Sequence, residues 1–188
     1  MRYEKGRKDA SRGRIMEVAA ERFRSDGIAA SGLATIMSDA GLTNGAFYPH
    51  FQSKAELVRE SVAAALDAQS QQMQELLASG GPERAIQAYL SAEHRDNPDK
   101  GCASAALLPE IARQPSETRA VYTERFLSLV RLVSAALPQG KDPEGAALGV
   151  FATLIGALQM ARAVEGTELS DRILAAGADA ARTLIQQR

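Results

Sequence analysis

Residues 41–54, Gly-Leu-Thr-Asn-Gly-Ala-Phe-Tyr-Pro-His-Phe-Gln-Ser-Lys, constrain the fold more than any other stretch of the chain. Gly41 can take the positive φ that ends a helix in a tight turn. Leu42 then reads as an apolar plug beneath the turn, and Thr43 as the N-cap of the next helix, its hydroxyl accepting a backbone N–H. That helix must be short, because Pro49 lacks the N–H that would bond back to residue 45. Within it Ala46, Phe47 and Phe51 can face a core, which leaves Thr43, Asn44, Gly45, Tyr48 and His50 to look outward. Gly45 near a helix start is costly for folding but lets backbone approach a rigid surface closely. A short, polar-faced helix behind a tight turn suits the major groove of DNA.

The flanking sequence supplies the partners such a unit needs. Ile15, Val18, Ala19, Arg22 and Phe23 recur at three- and four-residue spacing, predicting a helix over about 11–26 that Gly27 stops. Ser31 is a plausible N-cap for a second helix over about 32–40, buried through Leu33 and Ile36. Ser53-Lys54-Ala55-Glu56 is a capping box opening a long helix to about residue 78, with Leu57, Val58, Val62, Ala65, Leu66, Met73, Leu76 and Leu77 on its apolar face. Residues 1–10 are polar and basic, and read as a flexible arm whose Arg2, Lys5, Arg7 and Lys8 could lie along phosphates or enter a minor groove.

The order of these signals resembles a known pattern. Val18-Ala19-Ala20-Glu21-Arg22-Phe23, Gly27, Ile36, Ala40-Gly41-Leu42-Thr43, Gly45, Phe47-Tyr48, His50-Phe51 and Lys54 stand where the tetracycline-repressor (TetR) family carries its DNA-binding motif. Residues 12–60 resemble that family's DNA-binding domain, with one departure: Met37 occupies a position that is usually a small alanine. The resemblance implies an all-α chain of about nine helices. A three-helix helix-turn-helix head over 11–52 would sit on a ligand-binding and dimerisation body over 53–188, with the hinge near the helix that starts at Ser53. It implies DNA contacts from Ser31, Thr43, Asn44, Gly45, Tyr48, His50 and Lys54. Hydroxyl, ring N–H and ammonium groups would hold phosphates, while the Asn44 amide would read an adenine edge. It also implies a homodimer on a palindromic operator, acting as a repressor that a small-molecule inducer releases.

Charge agrees weakly with that placement. The whole chain carries a net charge of −1, yet its first fourteen residues carry +4, residues 1–60 carry +2 and residues 61–188 carry −3. One cysteine excludes an internal disulfide framework, and with only His50 and His94 no metal site or other cofactor is expected. An enzyme is not expected either: no nucleophile stands with a base, and no glycine-rich phosphate loop is present. The basic N-terminus lacks the apolar core of a signal peptide, so the expected location is the cytoplasm. Residues 145–161 are free of charge, but they are glycine- and alanine-rich and short for a bilayer, so a buried helix is expected and not a membrane span.

Past the long helix, Gly80-Gly81-Pro82 breaks the chain before a helix carrying Ala85, Ile86, Tyr89 and Leu90. A polar loop over 94–101 precedes an apolar helix over about 103–113, and Pro115 starts another to about residue 137. Two helices close the chain, about 144–164 and 170–187, the first apolar around most of its circumference. Such a helix must be covered on two sides, by the chain's own core and by a partner, and the resemblance implies that these two helices pair with their copies in the dimer. Candidate walls of a ligand pocket are Met73, Leu76, Tyr89, Leu107, Tyr122, Phe126, Phe151 and Met160, each of which also suits ordinary core. Cys102 follows Gly101 at a helix start with Lys100 nearby, a setting that favours a thiolate. A thiol-based redox or electrophile sensor is therefore one alternative reading, and a helical protein-interaction module without DNA binding is another.

Overall fold

The computed structural model describes residues 2–138 and 140–186, and the regular structure among them is helical throughout. The helices are α1 (Arg2–Asp26), α2 (Leu33–Asp39), α3 (Lys54–Tyr89), α4 (Ala92–Asp96), α5 (Ala103–Ile111), α6 (Ser116–Ala136), α7 (Pro143–Ala163) and α8 (Thr167–Gln186). Single 3₁₀ turns stand at Asn44–Ala46 and Pro98–Lys100, so the expected polar loop over 94–101 is largely wound into α4 and the second of these turns. The long helix α3 is two limbs joined at Gly80 and Gly81, where Gly81 takes φ 65° and Pro82 opens the second limb. With those limbs separated, the described residues hold nine α-helices, as expected for an all-α chain of this kind.

The first helix starts earlier than the sequence suggests. Helix α1 already runs from Arg2, because no proline interrupts the approach to Ser11 and its lysines, arginines and alanine favour helix more than Gly6 opposes it. Lys8 is exposed on this helix, while Met1 and the side chains of Arg2, Lys5 and Arg7 lie outside the described residues. Gly27 ends α1 at φ 86°. Gly41 ends the motif's next helix at φ 72°, with its N–H on Ser38 and the Leu42 N–H reaching back to Met37, the paired bonds of a Schellman turn. Ser31 is not the N-cap of α2, a position that Gly32 takes without any side-chain bond. The Ser31 hydroxyl is instead buried and donates to the Gly27 carbonyl at 2.6 Å.

Three apolar clusters make the interior. The first joins Ile15, Val18, Phe23, Ile36, Met37, Phe47 and Phe51 to Leu57, Val58, Val62 and Leu66 of α3 and to Leu107 and Ile111 of α5. Met37, the departure from the family pattern, is fully buried in it. The second sits between α7, α8 and the end of α3, and the third between α3, α6 and the start of α7. Helix α7 is long and apolar enough to cross a membrane by length and composition. Its Ala147, Val150, Phe151, Leu154, Ala157, Leu158 and Ala161 are nevertheless buried against the chain's own helices. Its close packing on α8 depends on Gly177, where a Cβ would collide with that of Ala157.

Candidate DNA-contact surface and the body cavity

Two buried rings hold the exposed turn in place. Phe47 and Phe51, each 1% exposed, stack at 5.5 Å between ring centroids and root residues 44–51 in the first core cluster. The chain between them winds tightly: Ala46 N–H bonds to Thr43 O, Phe47 N–H to Asn44 O and His50 N–H to Phe47 O. The segment expected as a short helix is thus a 3₁₀ turn followed by further tight turns. Thr43 occupies the cap position and its carbonyl closes the turn on Ala46, but among the described residues its hydroxyl makes no cap bond.

This winding sorts the side chains. Thr43, Asn44, Gly45 and Tyr48 are exposed, and Tyr48, at 70%, lies edge-on to Phe47. A Cβ at Gly45 would meet nothing within 4 Å, so the fold itself does not require the glycine there. His50 is half-buried, and its Nδ1 is buried without a partner among the described residues. Burial, followed by the positive charges of Lys8 and Arg12, holds its pKa below the ordinary histidine value. Lys54 is half-buried and donates to the Ile28 carbonyl at 2.6 Å, clasping α3 to the turn after α1. Ser31, facing inward, does not join the exposed set.

Other bonds tie this head to the rest. The Glu110 carboxylate of α5 accepts the Ala29 N–H at 3.0 Å. Arg24 of α1 donates through Nε to the Asp99 carbonyl in the 98–100 turn. The capping box at α3 closes as expected on the Ser53 side, Glu56 N–H on the hydroxyl at 3.1 Å, while the Glu56 carboxylate takes the N–H of Gln52.

A cavity of about 540 Å³ opens between α3 and residues 91–102. Of the residues expected to wall a pocket, Met73, Leu76 and Tyr89 line it, and so does Cys102. The others do not. Leu107 belongs to the first core cluster, and Tyr122 hydrogen-bonds Ser104 at 3.0 Å and stacks on Phe126, which packs edge-on against Phe151. Met160 is 56% exposed, because Ala157, Leu158 and Ala161 turn inward and leave it on the opposite face of α7.

The cavity wall is more polar than the apolar candidates suggested. Arg24, Gln69, Gln72, His94, Asn97 and Lys100 all reach it. Gln69 was legible as a polar residue in the register of Leu66, Met73 and Leu76, the core face of α3. Arg24 left no such signal, since only the folding of residues 98–100 against α1 brings it in. His94 accepts the Cys102 N–H on Nε2 at 3.0 Å and bonds the Tyr89 carbonyl through Nδ1 at 2.7 Å. One nitrogen accepts and the other must donate, so the ring is neutral with its proton on Nδ1. Burial is the main cause that lowers its pKa. The Cys102 sulfur is buried and accepts from Gln69 Nε2 at 3.1 Å and from the Ala105 N–H at 3.4 Å.

Known proteins resemble this chain in part of its sequence and in its fold. Residues 15–61 match the family model of bacterial regulatory proteins of the tetR family, which covers most of the segment whose sequence resembles that family. The HTH-type transcriptional repressor KstR2 of Mycobacterium tuberculosis is 37% identical over 62 residues, 33% of this chain and 31% of the relative. The chain thus aligns with about a third of the length of the curated relatives it matches. Solved structures extend the likeness of fold to nearly the whole chain. The reduced form of Escherichia coli NemR has a TM-score of 0.75 at 20% identity, covering 90% of this chain and 96% of that one. A TetR-family regulator from Agrobacterium tumefaciens has 0.75 at 22%, covering 92% and 97%. Bacillus subtilis FadR in complex with stearoyl-CoA has 0.63 at 15%, also covering 92% and 97%.

Proposed function

We propose that this chain is a DNA-binding transcriptional regulator, a repressor that grips a palindromic operator as a homodimer and is released by a small molecule. One observation carries the reading. The segment that matches the tetR-family model presents Thr43, Asn44, Gly45 and Tyr48 to solvent on a turn rooted by two buried phenylalanines, and the fold needs none of the four there. In the proposed mode Thr43 and Tyr48 hold phosphates, Asn44 reads a base edge and Gly45 lets backbone come close. His50 and Lys54 add N–H donors at the rim of the same surface, and Ser31 closes the turn between α1 and α2 by bonding the Gly27 carbonyl. Residues 11–52 act as the head and 53–188 as the ligand-binding and dimerisation body.

The dimer reading rests on the outer face of α7. Leu148, Ala152, Gly156 and Met160 follow at four-residue spacing, and Leu148 and Met160 are large apolar side chains left exposed at 40% and 56%. A second copy of α7 and α8 across a two-fold axis would cover them. Such a dimer sets two heads at successive major grooves. For the small molecule to release DNA it must prefer the non-binding state, and about 5.5 kcal/mol of preference moves a 99:1 population to 1:99. The proposed protein works in the cytoplasm, needs no cofactor and is not an enzyme. The comparisons favour neither the thiol-sensing nor the DNA-independent alternative.

Selection from random double-stranded DNA at about 100 mM salt tests the reading, because the sequence-independent electrostatic term is then restrained. A palindrome enriched by the folded dimer, lost in Tyr48→Ala and altered in Asn44→Ala, is the expected result. Absence of any enriched sequence would sink it.

A further inference from the structure

We infer that the cavity between α3 and residues 91–102 takes a small organic carboxylate, and that Arg24 of the head helix α1 receives its charge. The inference rests on the proposed release by a small molecule and names the class of that molecule.

Two polar atoms in the cavity wall lack partners. Among the described residues, the Tyr89 hydroxyl, on a residue only 6% exposed, and the Gln69 Oε1 are both buried without a hydrogen bond. Buried polar groups are normally satisfied, so this pair marks where a ligand's own polar group belongs. Their neighbours are engaged already: both nitrogens of His94 are bonded, and the Cys102 sulfur holds the Gln69 amide N–H. A ligand hydroxyl suits both open atoms, donating to Gln69 and pairing with Tyr89.

Charge selects the rest of the ligand. Arg24 and Lys100 line the cavity against the single acid Glu93, and His94 is neutral, which leaves an excess of one positive charge. Arg24 uses Nε on the Asp99 carbonyl, and among the described residues its two terminal nitrogens make no hydrogen bond. Burial pushes its pKa below the ordinary arginine value, although the nearby Glu21 and Asp99 carboxylates act in the opposite direction. A planar guanidinium matches a carboxylate in two parallel bonds, and a monoanion balances the excess where a phosphate dianion would overshoot it. Ala65, Ala68, Met73 and Leu76 supply the wall for an apolar body. A cavity of about 540 Å³ lies within the usual range for small-molecule sites.

The placement gives the ligand a direct grip on the head. Arg24 belongs to α1, whose Ile15, Val18 and Phe23 share a core with the exposed turn. Carboxylate at its terminal nitrogens competes for the orientation that now serves the Asp99 carbonyl.

Titration calorimetry without DNA tests this, using benzoate, 4-hydroxybenzoate, phenylacetate, hexanoate and octanoate, each beside its primary amide. At least one acid should bind, with its amide weaker by about tenfold or more. Arg24→Gln should weaken the acid by a similar factor and leave the amide unchanged, while Arg24→Lys, keeping the charge, should retain part of the affinity. Circular dichroism establishes that both variants fold. Tyr89→Phe should narrow the preference for 4-hydroxybenzoate over benzoate. Amides binding as well as acids, Arg24→Gln without effect, or no acid binding at millimolar concentration would each overturn the inference. Because no DNA is present, a protein that binds an acid yet selects no operator would refute the proposed function alone.

Discussion

Phe47 and Tyr48 are neighbours in the chain with opposite burial, 1% against 70%, so replacing each by alanine separates folding from DNA contact. Removing the Phe47 ring deletes a fully buried side chain, its stack on Phe51 and its place beneath the turn. Such truncations cost about 3–5 kcal/mol, a large part of the ~5–15 kcal/mol that holds a domain together. In a chain of this size each kcal/mol lowers Tm by roughly 2–4 °C, so Phe47→Ala should melt about 6–20 °C early. Tyr48→Ala gives up an exposed ring and its edge-on contact with Phe47, so its cost should stay within about 0.5–1.5 kcal/mol. On DNA the order reverses. A phosphate hydrogen bond at each of two heads is worth about 1–3 kcal/mol together, so operator affinity should fall about 5- to 150-fold in Tyr48→Ala. Urea denaturation reads the first quantity, and fluorescence anisotropy with the selected operator reads the second. If Tyr48→Ala destabilised the fold as Phe47→Ala does, or bound the operator at full strength, the division between root and contact would be wrong.

Three other outcomes are expected. Met160→Arg combined with Leu148→Arg should shift the protein from dimer to monomer in sedimentation velocity, and an unchanged dimer would move the interface off this face of α7. Gly177→Ala should destabilise by about 1–3 kcal/mol of overpacking, less about 1 kcal/mol of gained helix propensity. Adding Ala157→Gly to it should restore most of the loss, and additive effects in urea melts would refute the predicted collision. The lowered pKa of His94, caused mainly by burial, means that the unfolded chain binds the proton more readily. Its contribution to stability is therefore full above the ordinary histidine value of about 6.5 and is lost as pH falls from there toward the folded value. His50 acts in the same direction, so Tm should drop between neutral and mildly acid pH, and His94→Gln should flatten the drop.

The head was legible because short-range chemistry dictates it. Gly27 and Gly41 take the positive φ their positions imply, Phe47 and Phe51 turn inward, and Tyr48 turns out. Each of those outcomes depends on a few neighbouring residues. The cavity was less legible, since its wall is assembled from segments far apart in sequence. Arg24 and Asp99 are joined only by tertiary packing, and no periodicity in α1 announces that one arginine faces the body. The exposure of Met160 was not legible because helix α7 is apolar on both faces, so hydrophobicity alone could not say which face was inside. The early start of α1 was also hard to read, since the charge of the N-terminal residues concealed good helix propensity.

Where the head moves against the body follows from the same contacts. The sequence places a hinge near Ser53, yet the structure makes that region stiff. Ser53 and Glu56 close the start of α3, Lys54 clasps Ile28, and Leu57 to Leu66 share the head's core with Leu107 and Ile111 of α5. Residues 97–101 are less buried, none of them being fully so, although the 98–100 turn packs on α1. This short segment lies between the cavity and α1. It lines the cavity, its Asp99 carbonyl holds Arg24, and the adjoining α4 is fixed to the C-terminal helices by Arg95 on Asp171 and by Arg162 on the carbonyls of His94 and Arg95. Binding of a carboxylate should therefore change amide hydrogen exchange at 97–101 and at the end of α1, and leave residues 54–58 as they were. Altered exchange at 54–58 with none at 97–101 would return the hinge to Ser53.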